Sequence, residues 1–271
     1  MGEARRGGAG TEESRDPRDR EESCLRAGSG ASGSERSPQS EGWHVDLGAH
    51  AARVYSQGGE DGVLLRIFET IGVRHRFFVE FGAWDGLHLS NTANLRLSHG
   101  WSGLLMEGSD RADGALVRRE RVDPENVERL FESHGVPADF DLLSIDIDGN
   151  DYWVWRAIER FVPRVVVIEY NVFFRRGMAR TIAYDALHEW DKTHFGSYHG
   201  ASLTALEKLG RSKGYALVYT EPEGANAIFV QRSLLPAGIR LPTLAELTRW
   251  DWPAEGYVEP TPQPGRRWVE V

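Results

Sequence analysis

Residues 77–86 read FFVEFGAWDG. The run Phe77–Phe81 is apolar except for Glu80 and stops at Gly82, the pattern of a short buried strand entering a turn. Gly82 and Gly86 permit a tight strand-to-helix turn and close approach of backbone or ligand. The spacing is GxxxG, not the GxGxxG that cradles a dinucleotide, and an acid stands two residues before the first glycine. A carboxylate there repels a pyrophosphate and suits a ligand with a positive or hydroxylated part. Either glycine alone is an ordinary turn.

Working outward, the run 103–107 (GLLME) is a second strand ending in an acid, Glu107, about 20 residues on, where a ribose diol is held in nucleotide-binding sheets. The acid at Glu80 before the first glycine favours S-adenosylmethionine over NAD. Apolar residues at 63, 64, 67, 68 and 71 predict a helix over Asp61–Ile71, and 91–97 reads as another. Residues 115–122 form a weaker strand. Asp123 and Pro124 supply an N-cap and first-turn proline for a helix stopping at Gly135. Strands over Phe140–Ile147 and Arg164–Glu169 bracket a helix over Asp151–Phe161. A helix over Ser202–Lys213, closed by Gly214, precedes strands over Tyr215–Tyr219 and Asn226–Val230. This alternation predicts a doubly wound, mostly parallel α/β sheet, with the last strand pair antiparallel because a tight turn joins it.

The 271-residue chain carries 32 Lys+Arg against 41 Asp+Glu, a net charge of −9 that argues against a nucleic-acid partner. The single cysteine, Cys24, excludes an internal disulfide, a CxxC pair and a multi-cysteine zinc site. The longest aliphatic run, Val165–Ile168, is far short of the roughly 18 residues a membrane helix needs. The opening MGEARRGGAG lacks a secretory apolar stretch, and Arg6 stands where a myristoylation signal has Ser or Thr. The expectation is a soluble, cytoplasmic protein without a membrane partner. Residues 1–42 contain no Phe, Trp, Tyr, Ile or Val and are expected to be a disordered tail. Their Gly28–Gly33 match to GxGxxG has no strand before it. The core domain is expected over 43–231, and 232–271 reads as an extension with one helical pattern, Leu241–Trp250, and a proline-rich end.

The densest polar group is DIDGND, 146–151. Alternation sends Asp146 and Asp148 to one face at a strand end, where central strands open onto a ligand crevice. An EF-hand is excluded, because Gly149 falls at position 4 and Ala157 at position 12. Asn150 and Asp151 are expected to cap the following helix. Candidate bases are Asp146, Asp148 and the loop histidines His194 and His199. Trp153 and Trp155 are read as helix packing, and Arg118, Arg119 and Arg121 as edge-strand charge. No Walker A motif or GxSxG elbow occurs.

The runs YSQGGEDG (55–62), FFVEFGAWDGLHLSNTANL (77–95), GWSGLLMEG (100–108) and LLSIDIDGNDYW (142–153) together resemble FkbM-type methyltransferases, over roughly residues 53–231. The resemblance implies a Rossmann-like class I methyltransferase sheet and S-adenosyl-L-methionine as cofactor. It places Glu80, Gly82, Ala83, Asp85 and Gly86 around the methionine moiety, Glu107 with Gly108 at the ribose, and Gln57, Glu60 and Asp61 near the cofactor entrance. The implied reaction is O-methylation of a hydroxyl on a small molecule, sugar or natural product. In related sugar methyltransferases the acid matching Asp146 binds a divalent metal with acids at the end of the next strand. Here that strand ends Glu169-Tyr170-Asn171, so Mg²⁺ on Asp146, Glu169 and Asn171 is one alternative. The other has Asp146 or Asp148 orienting the acceptor, with His199 as a base. One departure is the short segment Gly108–Gly114 after Glu107, where a helix normally flanks the adenine. It implies a degenerate, non-catalytic cofactor-binding or scaffold protein as the rival reading.

Overall fold

The computed structural model describes residues 42–189, 198–222, 224–248, 257, 259–262 and 264–271. The expected tail therefore lies outside the described residues except for Gly42, as do His194 and the end of the 241–250 helical pattern.

Apolar runs make the strands β1 (Phe77–Phe81), β2 (Ser102–Glu107), β3 (Val117–Arg119), β4 (Leu142–Ile145), β5 (Val165–Glu169), β7 (Tyr215–Thr220) and β8 (Asn226–Gln231). They form one sheet in the order β3-β2-β1-β4-β5-β8-β7. The pairs from β3 through β5 are parallel, whereas β8 runs antiparallel to both β5 and β7. This is the doubly wound, Rossmann-like arrangement, mostly parallel with an antiparallel last strand. Order reverses between β1 and β4, so a crevice opens beyond the carboxyl ends of those strands.

Period-two alternation divides the strand side chains between two cores. Val79, Phe81, Leu143, Ile145, Val166 and Ile168 face helices α4 (Val127–Ser133), α5 (Asp151–Ala157) and α6 (Leu203–Ser212). Phe78, Leu142, Val165 and Val167 face α1 (Trp43–Ala49), α2 (Glu60–Ile71) and α3 (Ala93–Ser98). A seven-residue helix without a side-chain cap leaves little local signal, and α1 was not foreseen. A two-stranded sheet was also missed: β9 (Trp268–Glu270) returns from the C-terminal extension to pair with β6 (Arg180–Ile182). Among the described residues of the extension, Leu244–Leu247 form a short α-helix, α7, with Thr243 and Glu246 forming a reciprocal cap. Among the described residues, no helix is long and apolar enough to cross a membrane.

One capping expectation needs correction. Asp123 accepts the amides of Glu125 and Asn126 in a turn, and the helix starts only at Val127, so Pro124 lies outside it. An aspartate that can bond amides two and three residues ahead stabilises a turn as readily as a helix start.

At the opposite end of the sheet, Asp141 accepts the amides of Arg74 and His75 and the Arg164 guanidinium, each within 2.8 Å. Arg164 also donates to the carbonyls of Ile71 and Gly72, closing the C-terminus of α2. Burial alone would push the Asp141 carboxyl up, but Arg164 and those amides outweigh it and hold it below its ordinary value. Replacing Arg164 by Met strands a fully buried carboxylate and is expected to cost about 3–5 kcal/mol in urea unfolding; a loss below about 1 kcal/mol, the scale of an exposed pair, would contradict this role.

Candidate functional site

The crevice is built on a backbone contact. Gly82 has φ 66°, and a Cβ placed on it would lie 1.6 Å from the Asp146 carbonyl oxygen. Only glycine allows the end of β1 to come this close to the end of β4. The chain then crosses toward β2, where the Ala83 amide donates to the Met106 carbonyl at 3.1 Å. Next, the Trp84 amide donates to Glu107 Oε2 at 3.2 Å, and Ser109 donates to Glu107 Oε1 at 2.8 Å. Half-buried Glu107 thus braces the turns after both β1 and β2. Gly86, with φ 77°, completes the first turn. Asp85 accepts the amides of His88 and Leu87, which hold its carboxyl below the usual range.

Trp84 has a positive φ of 51°, unusual for a bulky residue, and the Arg111 guanidinium lies 4.2 Å over its ring. Arg111 belongs to the short segment after β2, where no helix forms. Gly108 is exposed there, beside Arg121.

Several acids singled out in the sequence act on the protein's own backbone. Glu80 accepts the Asn91 amide at 2.9 Å and the hydroxyls of Ser90 and Thr92 at 2.7 and 2.6 Å. Burial raises its carboxyl despite these donors. Asp61 Oδ2 accepts three consecutive amides, from Val54, Tyr55 and Ser56, and the Ser56 hydroxyl. Glu60 accepts the Gly58 amide and the Asn226 side chain, both at 2.7 Å. These bonds fix the loop carrying half-buried Gln57, and a bridge from Ser56 to Leu89 sets it beside the glycine turn.

On the other side of the crevice, Asp146 follows β4 and Glu169 ends β5. One carboxylate oxygen each from Asp146, Asp148 and Glu169 lie within 4.8 Å of one another. Burial pushes the Asp146 carboxyl well above its usual range, and the charges of Glu169, Asp148, Asp151 and Glu80 add to the shift. Glu169 is likewise pushed well up, by burial and then by Asp151 and Asp148. His199 Nδ1 lies 3.5 Å from Glu169 Oε2, and burial lowers the imidazole pKa. Asn171 lies just beyond β5. Its amide donates to the His199 carbonyl at 2.9 Å and accepts from the Phe173 amide at 3.0 Å.

Asn150 and Asp151 correct the second capping expectation. Neither side chain caps α5: Asp151 reaches back to the amides of Ile147 and Gly149, both at 2.8 Å, and Asn150 donates to the Asp185 carbonyl. The left-handed turn at Asp148, φ 58°, bends the chain so that these preceding amides meet the Asp151 carboxylate. Trp155 is buried in the core, while Trp153 donates to the Ile182 carbonyl and joins α5 to β6. Trp84, Arg111 and His188 border this region without having been singled out in sequence; a tryptophan inside the glycine turn was the one local signal.

No family model and no curated protein matches the chain. Among solved structures it is similar to TnmH (16% identity, TM-score 0.36), with 64% of this chain and 54% of that chain covered. It is similar to the CurJ carbon methyltransferase (12% identity, TM-score 0.40), with 72% and 59% covered. An O-methyltransferase family protein from Burkholderia thailandensis gives 12% identity and TM-score 0.38, with 64% and 57% covered. This chain therefore spans little more than half the length of each.

The shift at Asp146 has a definite sign. A carboxyl whose folded pKa is raised keeps its proton after the unfolded chain has lost it, so stability falls as pH rises from about 4 through the folded value. Asp146→Asn removes that penalty and is expected to raise the melting temperature by a few degrees at pH 8, with the gain shrinking toward pH 4. A pH-independent change, or a loss at pH 8, would contradict the assigned burial.

Proposed function

We propose that this chain is an S-adenosylmethionine-dependent methyltransferase acting on a hydroxyl oxygen of a small molecule, sugar or natural product. The observation that carries the reading is Glu107: its carboxylate stands at the end of β2, bonded to the first amide beyond Ala83 in the glycine turn after β1. Adjacent strand ends of an open α/β sheet are where a nucleoside is held, and an acid there accepts from ribose hydroxyls. Gly82 lets the glycine turn pack directly on the Asp146 carbonyl, which sets that turn and the Asp146 acid side by side at the strand ends. The acids beyond it suit a sulfonium better than a phosphate.

When bound, the cofactor supplies a methyl group already activated on sulfur, so the protein's work is alignment and proton removal. Asp146, whose carboxyl is pushed well above its usual range by burial and by neighbouring acids, is suited to receive the acceptor hydroxyl's proton. His199 Nδ1, neutral and next to Glu169, is a second base at the same wall. The three carboxylate oxygens of Asp146, Asp148 and Glu169 also fit a hard divalent cation such as Mg²⁺. No step above depends on that ion.

The missing helix between β2 and β3 favours the rival reading, a cofactor-binding protein without catalysis. Calorimetric titration with S-adenosylhomocysteine addresses the cofactor site directly. The full chain should bind it, and Glu107→Ala should lose about 1.5–3 kcal/mol, roughly ten- to a hundredfold in Kd. Unchanged affinity in a folded Glu107→Ala protein would remove the basis of the proposal.

A further inference from the structure

Behind Asp148 lies a polar connection that the proposed chemistry leaves unused. Buried His188 places Nε2 3.1 Å from the Asp148 carbonyl oxygen and Nδ1 2.8 Å from a guanidinium nitrogen of Arg266. A guanidinium donates only, so Nδ1 must accept and the ring proton must sit on Nε2, which then donates to the Asp148 carbonyl. One tautomer satisfies both bonds. Asp148 is a non-glycine residue at φ 58°, and that conformation persists only where its surroundings enforce it. Gly149 shows how tightly the ring is set, because a Cβ there would lie 2.2 Å from His188 Cδ2. The His188 carbonyl is held in turn by Arg121 at 3.0 Å.

Arg266 reaches this position because the chain immediately after it is anchored. β9 pairs with β6, the Tyr198 hydroxyl donates to the Arg267 carbonyl at 2.8 Å, and the Trp268 ring packs on Phe174 and Tyr198. We propose that Arg266 and His188 are positioning residues: the C-terminal strand, through one imidazole tautomer, sets the left-handed backbone that carries the Asp148 carboxylate to Asp146 and Glu169. The bearing on methyl transfer rests on the function proposed above; the connection itself does not.

The test is nitrogen NMR of the full chain with labelled histidine, beside Arg266→Ala, Arg266→Lys and His188→Gln. In the unaltered protein, His188 should show an unprotonated Nδ1 and a protonated Nε2. Arg266→Ala should give mixed tautomers and move the Asp148 and Gly149 amide resonances. Arg266→Lys, which still donates, should restore both signatures. His188→Gln, which can still donate to the Asp148 carbonyl, should keep those two amides near their original positions. Affinity for S-adenosylhomocysteine should change less than twofold in every variant, since Glu107 and the glycine turn are untouched. A protonated Nδ1 in the unaltered protein, or unmoved Asp148 and Gly149 amides in folded Arg266→Ala, would overturn the proposal. Should Arg266→Ala not fold, the tautomer in the unaltered protein and the His188→Gln amides still decide it. Failure of the unaltered chain to bind S-adenosylhomocysteine would count against the methyltransferase reading alone.

Discussion

The arrangement at the carboxyl ends of the sheet depends on the approach of Gly82 to the Asp146 carbonyl. At a Cβ-to-oxygen separation of 1.6 Å no side chain is tolerated, so β1 and β4 part only beyond their last residues. The turn after β1 must then bend toward β2, which brings Trp84 onto Glu107. The turn after β4 must bend away, through the left-handed Asp148. The glycine turn braced by Glu107 on one side and the carboxylate wall on the other both follow from that contact.

The acids divide into two groups around it. Asp61, Glu80, Glu107, Asp141 and Asp151 each accept at least one backbone amide, and they hold loops that lack regular structure of their own. Asp146 and Glu169 are shielded by the same fold, yet their carboxyls are driven upward by burial and by neighbouring acids. Asp141 shows the contrast: fully buried, it is held down by Arg164 and two amides. A shielded acid whose fold supplies donors is structural, whereas one set among other acids is poised to exchange a proton. Proton transfer is expected where the structural use of acids stops, while Glu107 both braces the glycine turn and faces the proposed ribose.

Much of this was legible in the sequence, for identifiable reasons. β1, β2, β4, β5, β7 and β8 are apolar runs bounded by glycine or charge; alternation with helices indicates the parallel sense of β1, β2, β4 and β5, and the tight turn between β7 and β8 makes that pair antiparallel. What escaped were elements without local signal. β6 and β9 are three residues each and exist only through pairing across the chain. The direction of a short polar side chain was equally hidden, because Asp123 and Asp151 each had amides available on the unexpected side. His188 and Arg266, 78 positions apart, carry no pattern that announces their contact. At the site, the order of acids along the strands was readable, but which of them serve the backbone was not.

The most direct measurement is a crystal structure of the full chain grown with S-adenosylhomocysteine. The account predicts the ribose hydroxyls within hydrogen-bond distance of Glu107, the homocysteine end over Gly82, and the sulfur on the side of Asp146. A nucleoside bound away from the ends of β1 and β2, or at that place without contact to Glu107, would contradict it.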